Sequence, residues 1–428
     1  VPFFTEENFT YNIAAPRQLV NHGSANISFQ RDIDTKSNLT LRHTLQLNNR
    51  KEFDVRRADR TGTPIVNMLL TNNLSEALYE FKPNNTLKYL YGTSLRLNIN
   101  YNLPGTGASA LLPDYRLYNP NIFTLITKKL NPKTQLDIGA RYEYHRYFVD
   151  RWINREINQY QNNFHSINAN IGIGSKVSKA LKFKADLSYV SRPPQINELY
   201  SRGIHQGLAA YEEGNANLTN ENSLKAVVDM SLHLHEYGHL SIAAFIHHID
   251  NFIYMLPRQE PILTIRGAFF AFDYQNSNTW LRGIDAIYKV NFTHSTEFLV
   301  SGAITRSINR ETKEEILWTP PPTFRSQITH DFYINKSKSQ EVNFSFGVDH
   351  VFENKFVSSS DDLLPPPPYF TLFNASLTFK QSIAKKPIQM TISSRNLLNN
   401  TYRNYLNRFR YFADEPGRSI DLTLLYNF

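Results

Sequence analysis

The sequence predicts an all-β protein folded as a transmembrane antiparallel β-barrel. Three observations carry this prediction. Apolar side chains recur at every second position in many segments, which is the period of a β-strand. The connections between these segments alternate between short and long. The chain contains no run of about 18 apolar residues, so a transmembrane helix is not expected.

The carboxyl-terminal stretch, residues 417–428, shows the period most clearly. Its apolar side chains fall at alternate positions, namely Ile420, Leu422, Leu424, Tyr426 and Phe428. Polar residues lie between them, with Leu425 as the exception. Because alternate side chains of a strand face opposite sides of a sheet, this strand has one apolar face and one polar face. A membrane barrel needs that pattern in every strand, with one face toward lipid and the other toward the lumen.

About seventeen segments have strand character. They are residues 24–33, 37–54, 65–81, 88–102, 121–130, 134–150, 164–177, 181–191, 223–235, 239–255, 278–292, 296–309, 323–335, 341–353, 369–383, 388–398 and 417–428. Short connections alternate with long ones, which we place at residues 55–64, 103–120, 151–163, 192–222, 256–277, 310–322, 354–368 and 397–416. Outer-membrane barrels alternate short periplasmic turns with long outer loops. A Greek-key sandwich has no such alternation, and no propeller repeat is visible.

Composition fits a barrel better than a globular core. Only 41% of the 428 residues are hydrophobic, yet 24 are Tyr and 29 are Phe, as aromatic girdles at the membrane interfaces would require. The absence of Cys excludes disulfides and thiolate metal sites. The net charge of +8 is spread among acidic residues, so nucleic acid is not expected as a partner. No signal peptide opens the chain, which we interpret as processing or a fragment.

Three stretches resemble the TonB-dependent outer-membrane receptors. In residues 41–57 the resemblance rests on Gln46, Asn48, Arg50, Glu52, Phe53 and Asp54. In residues 191–223 it rests on Arg192, Pro193, Glu198, Leu199, Tyr200, Gly214, Asn215, Leu218, Glu221 and Ser223. In residues 395–428 it rests on Asn396, Leu397, Asn399, Tyr402, Pro416, Gly417, Arg418, Tyr426, Asn427 and Phe428.

This resemblance implies an importer in the outer membrane of a Gram-negative bacterium. Members have a 22-stranded barrel filled by an N-terminal plug, which carries the segment that contacts TonB. Nothing in residues 1–428 resembles the plug, and an odd count of about seventeen strands does not fit a complete bacterial barrel. We therefore expect one barrel domain over residues 1–428, with the plug and about five strands absent, unable by itself to close the barrel or couple to TonB.

The expected function is the import of a scarce solute. Metal chelates are the first candidates, namely an iron–siderophore, haem or another metal chelate such as a zinc complex. No catalytic motif is present, so no enzyme activity and no intrinsic cofactor are expected. The alternative is a passive, porin-like or structural barrel without energy coupling. The expected partners are outer-membrane lipid, the chelate, and the TonB complex through the plug.

His205 is the main metal-ligand candidate, because it lies in a long outer loop and imidazole binds iron and zinc well. A loop histidine that only hydrogen-bonds locally is the alternative. Four more histidines are expected near the outer side: His22, His145, His165 and His350. His233, His235 and His239 have metal-like spacing, but their turn is predicted to be periplasmic, so we favour a solvated cluster there.

The last long loop is rich in arginine and tyrosine. Arg403, Tyr405, Arg408 and Tyr411 are candidate contacts for an anionic, partly aromatic ligand, alongside Tyr402, Phe409 and Arg410. An aromatic girdle with arginines reaching toward the interface explains the same residues and is the favoured interpretation. Arg192 and Glu198 are expected to pair with each other rather than with a ligand.

Overall fold

The computed structural model describes residues 16–55, 62–153, 156–234, 238–264, 267–334, 340–357, 361–383 and 386–426. Within these ranges there are twenty β-strands: β1 Arg17–Asp32, β2 Ser37–Phe53, β3 Val66–Asn84, β4 Leu87–Asn102, β5 Asp114–Asn131, β6 Thr134–Ile153, β7 Glu156–Lys176, β8 Leu181–Arg192, β9 Arg202–His205, β10 Ala210–Glu213, β11 Glu221–His233, β12 His239–Pro257, β13 Ile262–Thr264, β14 Gly267–Thr293, β15 Thr296–Asn309, β16 Thr323–Tyr333, β17 Gln340–Val351, β18 Phe370–Ile383, β19 Lys386–Arg395 and β20 Ser419–Tyr426. In the described ranges, helical structure is confined to α1 Ile196–Tyr200 and the 3₁₀ turns Gln206–Leu208 and Arg408–Tyr411. None of the described helices is long and apolar enough to cross a membrane.

Seventeen of the described strands form one antiparallel meander, in which each long strand pairs with the next long strand along the chain. The predicted transmembrane β-barrel architecture and its seventeen strands are confirmed. The other three strands, β9, β10 and β13, are short and lie in the long connections, where β10 pairs in parallel with β14. In the described residues β1 pairs with β2 and β20 pairs with β19, so these two strands form the edges of the sheet.

The two faces of the sheet differ in polarity, as the period-2 pattern predicts. One row of directly opposed residues is apolar across seven strands: Leu136, Ile173, Ala185, Val228, Ala244, Ile284 and Ile304. The next row, on the opposite face, is polar or small: Gln135, Gly174, Lys184, Asp229, Ala243, Asp285 and Ala303. In the apolar row Ile284 is 51% exposed, as a lipid-facing side chain would be. We call the two faces the apolar face and the lumen face.

The two ends of the sheet also differ. At one end, called the turn end, short turns follow β1, β3, β5, β7, β11, β14, β16 and β18. At the other, called the loop end, the connections follow β2, β4, β6, β8, β12, β15, β17 and β19. The predicted alternation is therefore present, with three corrections at the loop end. Residues 151–163 are not a loop, because β6 and β7 pair as far as Ile153 and Glu156. Similarly, β5 begins at Asp114 rather than at residue 121, and its first residues pair with β4 and β6. Likewise, β14 begins at Gly267 rather than at residue 278, and pairs with β12 as far as Pro257.

These corrections have the same physical cause. The strand extensions project beyond the apolar rows and pack against the long connections, where Phe272 is 1% exposed and Tyr160 packs against a buried apolar cluster. They therefore lack the regular apolar alternation that identifies a membrane strand. The buried apolar clusters of the described residues lie at the loop end, where strand ends pack against the long connections. They consist of Tyr147, Val149, Ile196, Leu199, Tyr200, Leu218 and Ile253; of Ala210, Met255 and Phe272; and of Leu317, Val357 and Tyr405. The long connections are therefore packed structures and not open loops.

Candidate ligand-binding site

A cavity of about 540 Å³ lies among the connections at the loop end. We call it the vestibule. Its lining comes from β2 and β3, from the connection after β4, from the end of β6, and from residues 204–212 together with Arg408. Arg408 lies in the connection between β19 and β20, at one edge of the sheet, whereas β2 lies near the opposite edge. The sheet therefore curls so that distant strands share one cavity, as in a barrel.

His205 lies on the vestibule wall at the end of β9. Strands β9 and β10 form a small antiparallel hairpin in which His205 pairs with Ala210, and this hairpin places the side chain of Glu212 beside the imidazole. The distance from His205 Nδ1 to Glu212 Oε1 is 2.9 Å. Glu212 is only 5% exposed. A buried carboxylate needs hydrogen-bonding partners, and His205 supplies one of them.

Arg408 approaches the same carboxylate from the last long connection. Its Nη1 donates to Glu212 Oε1 at 3.1 Å, and its Nη2 lies 3.1 Å from the sulfur of Met255. The guanidinium is also 5.3 Å from the ring centres of both Phe272 and Trp318. Stacking on aromatic faces and a hydrogen bond to a buried carboxylate hold this guanidinium in place. His205 and Arg408, both predicted from the sequence, are therefore brought together through Glu212.

The carboxyl of Glu212 stays ionised in this environment. Burial raises its pKa, but the hydrogen bond with His205 and the charges of His205 and Arg408 more than offset that effect, so the pKa is lowered overall. The vestibule wall thus holds a fixed negative charge between two basic side chains.

Two further members of the predicted set, Arg410 and Tyr411, interact with Asp362 in the connection before β18. Arg410 is 3% exposed and ion-pairs with Asp362, and Tyr411 donates a hydrogen bond to Asp362 Oδ1 at 2.6 Å. Burial, together with the neighbouring carboxylate of Asp362, raises the pKa of the Tyr411 hydroxyl. These contacts join the last two long connections.

Tyr405 and Arg403 also have partners within the loop end. Tyr405 is 2% exposed, its hydroxyl accepts a hydrogen bond from the backbone N–H of Trp318 at 3.2 Å, and burial raises its pKa to about 12. Arg403 donates to Asp414 at 2.6 Å and to the carbonyl of Arg410 at 2.8 Å. A lipid-facing girdle does not describe this region, because its central side chains are buried in protein. A ligand-binding role for Arg403, Tyr405 and Tyr411 stays a prediction.

The connection after β8 is anchored by ion pairs, as the sequence predicts. Arg192 Nη1 lies 2.9 Å from Glu198 Oε2, and Arg192 Nη2 lies 3.0 Å from Glu221. Glu198 also accepts the backbone N–H of Gln195, which completes a capping box at the start of α1. At the other end of α1 the buried guanidinium of Arg151 donates to the carbonyl of Tyr200. These contacts fix the segment that carries His205.

The four histidines expected near His205 each have separate partners. His22 contacts Asn48, His145 contacts Asn119 and Glu143, His165 contacts Tyr142, and His350 contacts Thr371. Among the described residues, no group of three or more His, Asp or Glu side chains is placed to hold a metal ion. Of the predicted periplasmic cluster, His233 and His239 are in ring contact, while His235 lies outside the described residues.

Sequence reasoning missed Glu212, Met255 and Asp362. Glu212 and Arg408 are 196 residues apart, Met255 and Arg408 are 153 apart, and Asp362 and Arg410 are 48 apart. No local motif links residues at such separations. The one available signal was the acidic pair Glu212–Glu213 within a long loop, which a single sequence does not distinguish from a solvated surface.

Comparison with known proteins agrees with this architecture. A family model described as “TonB dependent receptor-like, beta-barrel” matches residues 3–397. The chain belongs to the TonB-dependent receptor family. The predicted family is thereby confirmed, and residues 41–57 and 191–223 lie within the matched range, whereas most of residues 395–428 lies beyond it. No match is found among curated protein sequences.

Solved structures share the fold of this receptor at low sequence identity. The structure titled “Copper transporter OprC” superposes with a TM-score of 0.70 and 13% identity, covering 93% of this chain and 64% of that one. The FrpB iron transporter from Neisseria meningitidis gives 0.69 and 12%, covering 96% and 64%. The ferric yersiniabactin uptake receptor FyuA from Yersinia pestis gives 0.63 and 13%, covering 96% and 62%. The receptor chain thus spans less than two thirds of the length of these structures.

Proposed function

We propose that this receptor captures a metal chelate at the vestibule and imports it across the outer membrane of a Gram-negative bacterium. Membership of the TonB-dependent receptor family supports an energy-coupled importer rather than an enzyme. The similar structures are named for copper, iron and ferric yersiniabactin transport, which supports a metal-containing cargo. The observation that carries the proposal is the convergence of His205 and Arg408 on Glu212 at the vestibule wall.

This arrangement suits a chelate with anionic and aromatic groups. Arg408 offers a guanidinium for an oxygen-rich anionic group, and His205 offers an imidazole that binds iron, copper or zinc. Trp152 and Tyr274 line the vestibule and offer aromatic surfaces for such a ligand, while Phe272 and Trp318 stack on Arg408. A volume of about 540 Å³ lies in the range of small-molecule sites. The chelate is cargo and undergoes no chemical change in this scheme.

Energy coupling follows from the proposed place of this barrel in a complete receptor. An N-terminal plug would occupy the lumen and would contact TonB, and its rearrangement would release the captured chelate toward the periplasm. The passive porin-like alternative gains no support from the family match or from the similar structures.

An uptake assay in cells tests this proposal. Bacteria that express the full-length receptor would be given ⁵⁵Fe-loaded siderophores, ⁵⁵Fe-haem or ⁶⁵Zn complexes, with and without functional TonB. We expect saturable uptake of one of these ligands that disappears when TonB or the proton-motive force is removed. Uptake that continues unchanged without TonB would support the porin-like alternative and contradict the proposal.

A further inference from the structure

Two imidazole rings meet at the turn end of the sheet, far from the vestibule in the fold. His233 is the last residue of β11 and His239 is the first residue of β12, and the two are directly opposed in the ladder. Their ring centres are 4.4 Å apart, with an angle of 57° between the ring planes. Opposed side chains of an antiparallel pair lie close enough to bind one ligand together.

Hydrogen bonding does not account for this contact. In the described part of the chain, neither imidazole has a side-chain hydrogen bond or an ion pair, and Nδ1 of His239 is buried without a partner. A buried polar atom without a partner is unfavourable, and native structures contain few of them. A ligand that bonds to the lone pair of His239 Nδ1 would remove the energetic cost of leaving this nitrogen without a partner.

The pair lies on the lumen face. His233 is four residues after Asp229 on β11, and His239 is four residues before Ala243 on β12, so both share the face of the polar row. Val228, on the opposite face of β11, belongs to the apolar row and is 42% exposed. Across the sheet, His239 is opposed by Lys289 on β14, whose ammonium pairs with Glu297 at 2.6 Å.

We propose that His233 and His239 form a binding site for a divalent first-row transition metal, with Cu²⁺ as the tightest ligand. Neutral imidazole nitrogens suit Cu²⁺, Ni²⁺ and Zn²⁺, and Cu²⁺ leads the affinity order at nitrogen sites. Two protein ligands leave the remaining coordination positions to water, so the site is open and exchangeable rather than a closed structural site. This site is independent of the chelate cargo, and places a metal-binding position at the end of the lumen opposite the vestibule.

Copper titration of the purified protein, without a polyhistidine tag and in detergent micelles, tests the site. Isothermal calorimetry gives the affinity, and electron paramagnetic resonance shows the nitrogen coupling of two imidazoles. We expect His233→Ala and His239→Ala each to weaken the tightest Cu²⁺ site at least tenfold and to remove the two-nitrogen signature. His294→Ala, in the neighbouring turn between β14 and β15, is the matched control and should change neither measurement.

A second variant separates pairing from histidine content. The double substitution Ser231→His with His233→Ala keeps thirteen histidines but moves one ring to the position opposite Ser241. We expect this variant to bind Cu²⁺ as weakly as His233→Ala, with an unchanged circular dichroism spectrum. If it binds like the wild type, or if the wild type shows no site beyond that of the His233→Ala/His239→Ala double variant, the proposal is wrong. Either result leaves the uptake proposal unaffected.

Discussion

Arg410 and Asp362 form an ion pair that is almost completely buried, with their side chains 3% and 0% exposed. Arg410 lies in the connection before β20, and Asp362 lies in the connection before β18. Arg410 also donates to the carbonyl of Pro365 at 3.2 Å, and Tyr411 donates to the same carboxylate. Through these contacts the two connections form one packed body, which also holds Arg408 toward the vestibule.

We predict that Arg410→Met strongly lowers the free energy needed to open the contact between these two connections. Removing one partner of a buried ion pair leaves the other charge uncompensated, at a cost of about 3–5 kcal/mol. Hydrogen exchange of the amides in residues 361–369 and 404–412 measures the free energy of local opening. Arg403→Met is the matched control in the same connection. Its pair with Asp414 is 38% and 46% exposed, so we expect a cost below about 1 kcal/mol.

A double substitution checks the cause. In Arg410→Met/Asp362→Leu no charge is left buried, so the amide protection should recover by a large part of the loss seen in Arg410→Met. Equal protection in Arg410→Met and Arg403→Met would show that the buried ion pair does not hold the two connections together.

The contact between Arg408 and Glu212 should weaken in acid. The pKa of Glu212 is lowered from its usual 4.5, so its ionised form is favoured in the folded protein. The stabilisation is therefore present above the unfolded value, and is lost as the pH falls through the lower folded value. In a Trp152→Phe/Trp280→Phe background, Trp318 is the remaining tryptophan of the three. Its fluorescence should change below about pH 4.5, because Arg408 lies over its ring.

Glu212→Gln is the control for this titration. The substitution keeps the shape of the side chain but removes the ionisable group, so the acid transition of Trp318 should disappear. A transition of the same midpoint in the variant would assign the pH effect to another group.

Tyr405→Phe should destabilise the loop end measurably. The substitution removes the oxygen that accepts the backbone N–H of Trp318 and leaves that donor buried, which costs about 1–3 kcal/mol. Burial also raises the pKa of Tyr405 to about 12, so its stabilising neutral form persists at pH 10 and is lost as the pH approaches 12. Alkaline difference absorption at 295 nm should lose one late-titrating tyrosine in the variant. An unchanged titration curve would contradict this assignment.

Gly283 should be sensitive to substitution, because an aromatic ring covers it. A Cβ atom at Gly283 would lie 2.5 Å from the ring of Phe245 and 2.7 Å from the carbonyl oxygen of Ile304. We expect Gly283→Val to displace Phe245 and to lower the stability by about 1–3 kcal/mol, seen as a lower thermal unfolding midpoint. At Gly347 on β17 the nearest atom is 3.6 Å from an added Cβ, so Gly347→Ala should be close to neutral. Equal midpoints for both variants would show that the sheet relaxes around Gly283.

The membrane strands could be predicted from the sequence, because each of them has an apolar residue at every second position, where the side chain faces lipid. Ile284 and Ile304 are opposed in the ladder, and each belongs to a local alternation that the sequence shows. The extension of β14 from Gly267 could not be predicted in the same way, because its residues stand above the apolar rows and follow no single period. Secondary structure was thus predictable where lipid imposes a pattern.

The site was predictable only in its residue types. The presence of imidazole at His205 and guanidinium at Arg408 in long connections follows from the sequence, whereas their convergence on Glu212 depends on the curl of the whole sheet. The buried position of Tyr405 likewise depends on Trp318, which is 87 residues away. Such contacts arise from tertiary packing of long connections and leave no local pattern.

Equilibrium binding tests the central claim, that the vestibule binds a metal chelate through His205 and Arg408. The full-length receptor, His205→Ala, Arg408→Ala and the control Arg310→Ala would be titrated with ferric siderophores, haem, zinc and cobalamin. Arg310 lies in the connection after β15, pairs with Asp250 and does not line the vestibule. We predict that one of these ligands binds, and that His205→Ala and Arg408→Ala each weaken it at least tenfold, about 1.4 kcal/mol, while Arg310→Ala does not. Full affinity in both vestibule variants, or the absence of binding across the panel, would contradict the account.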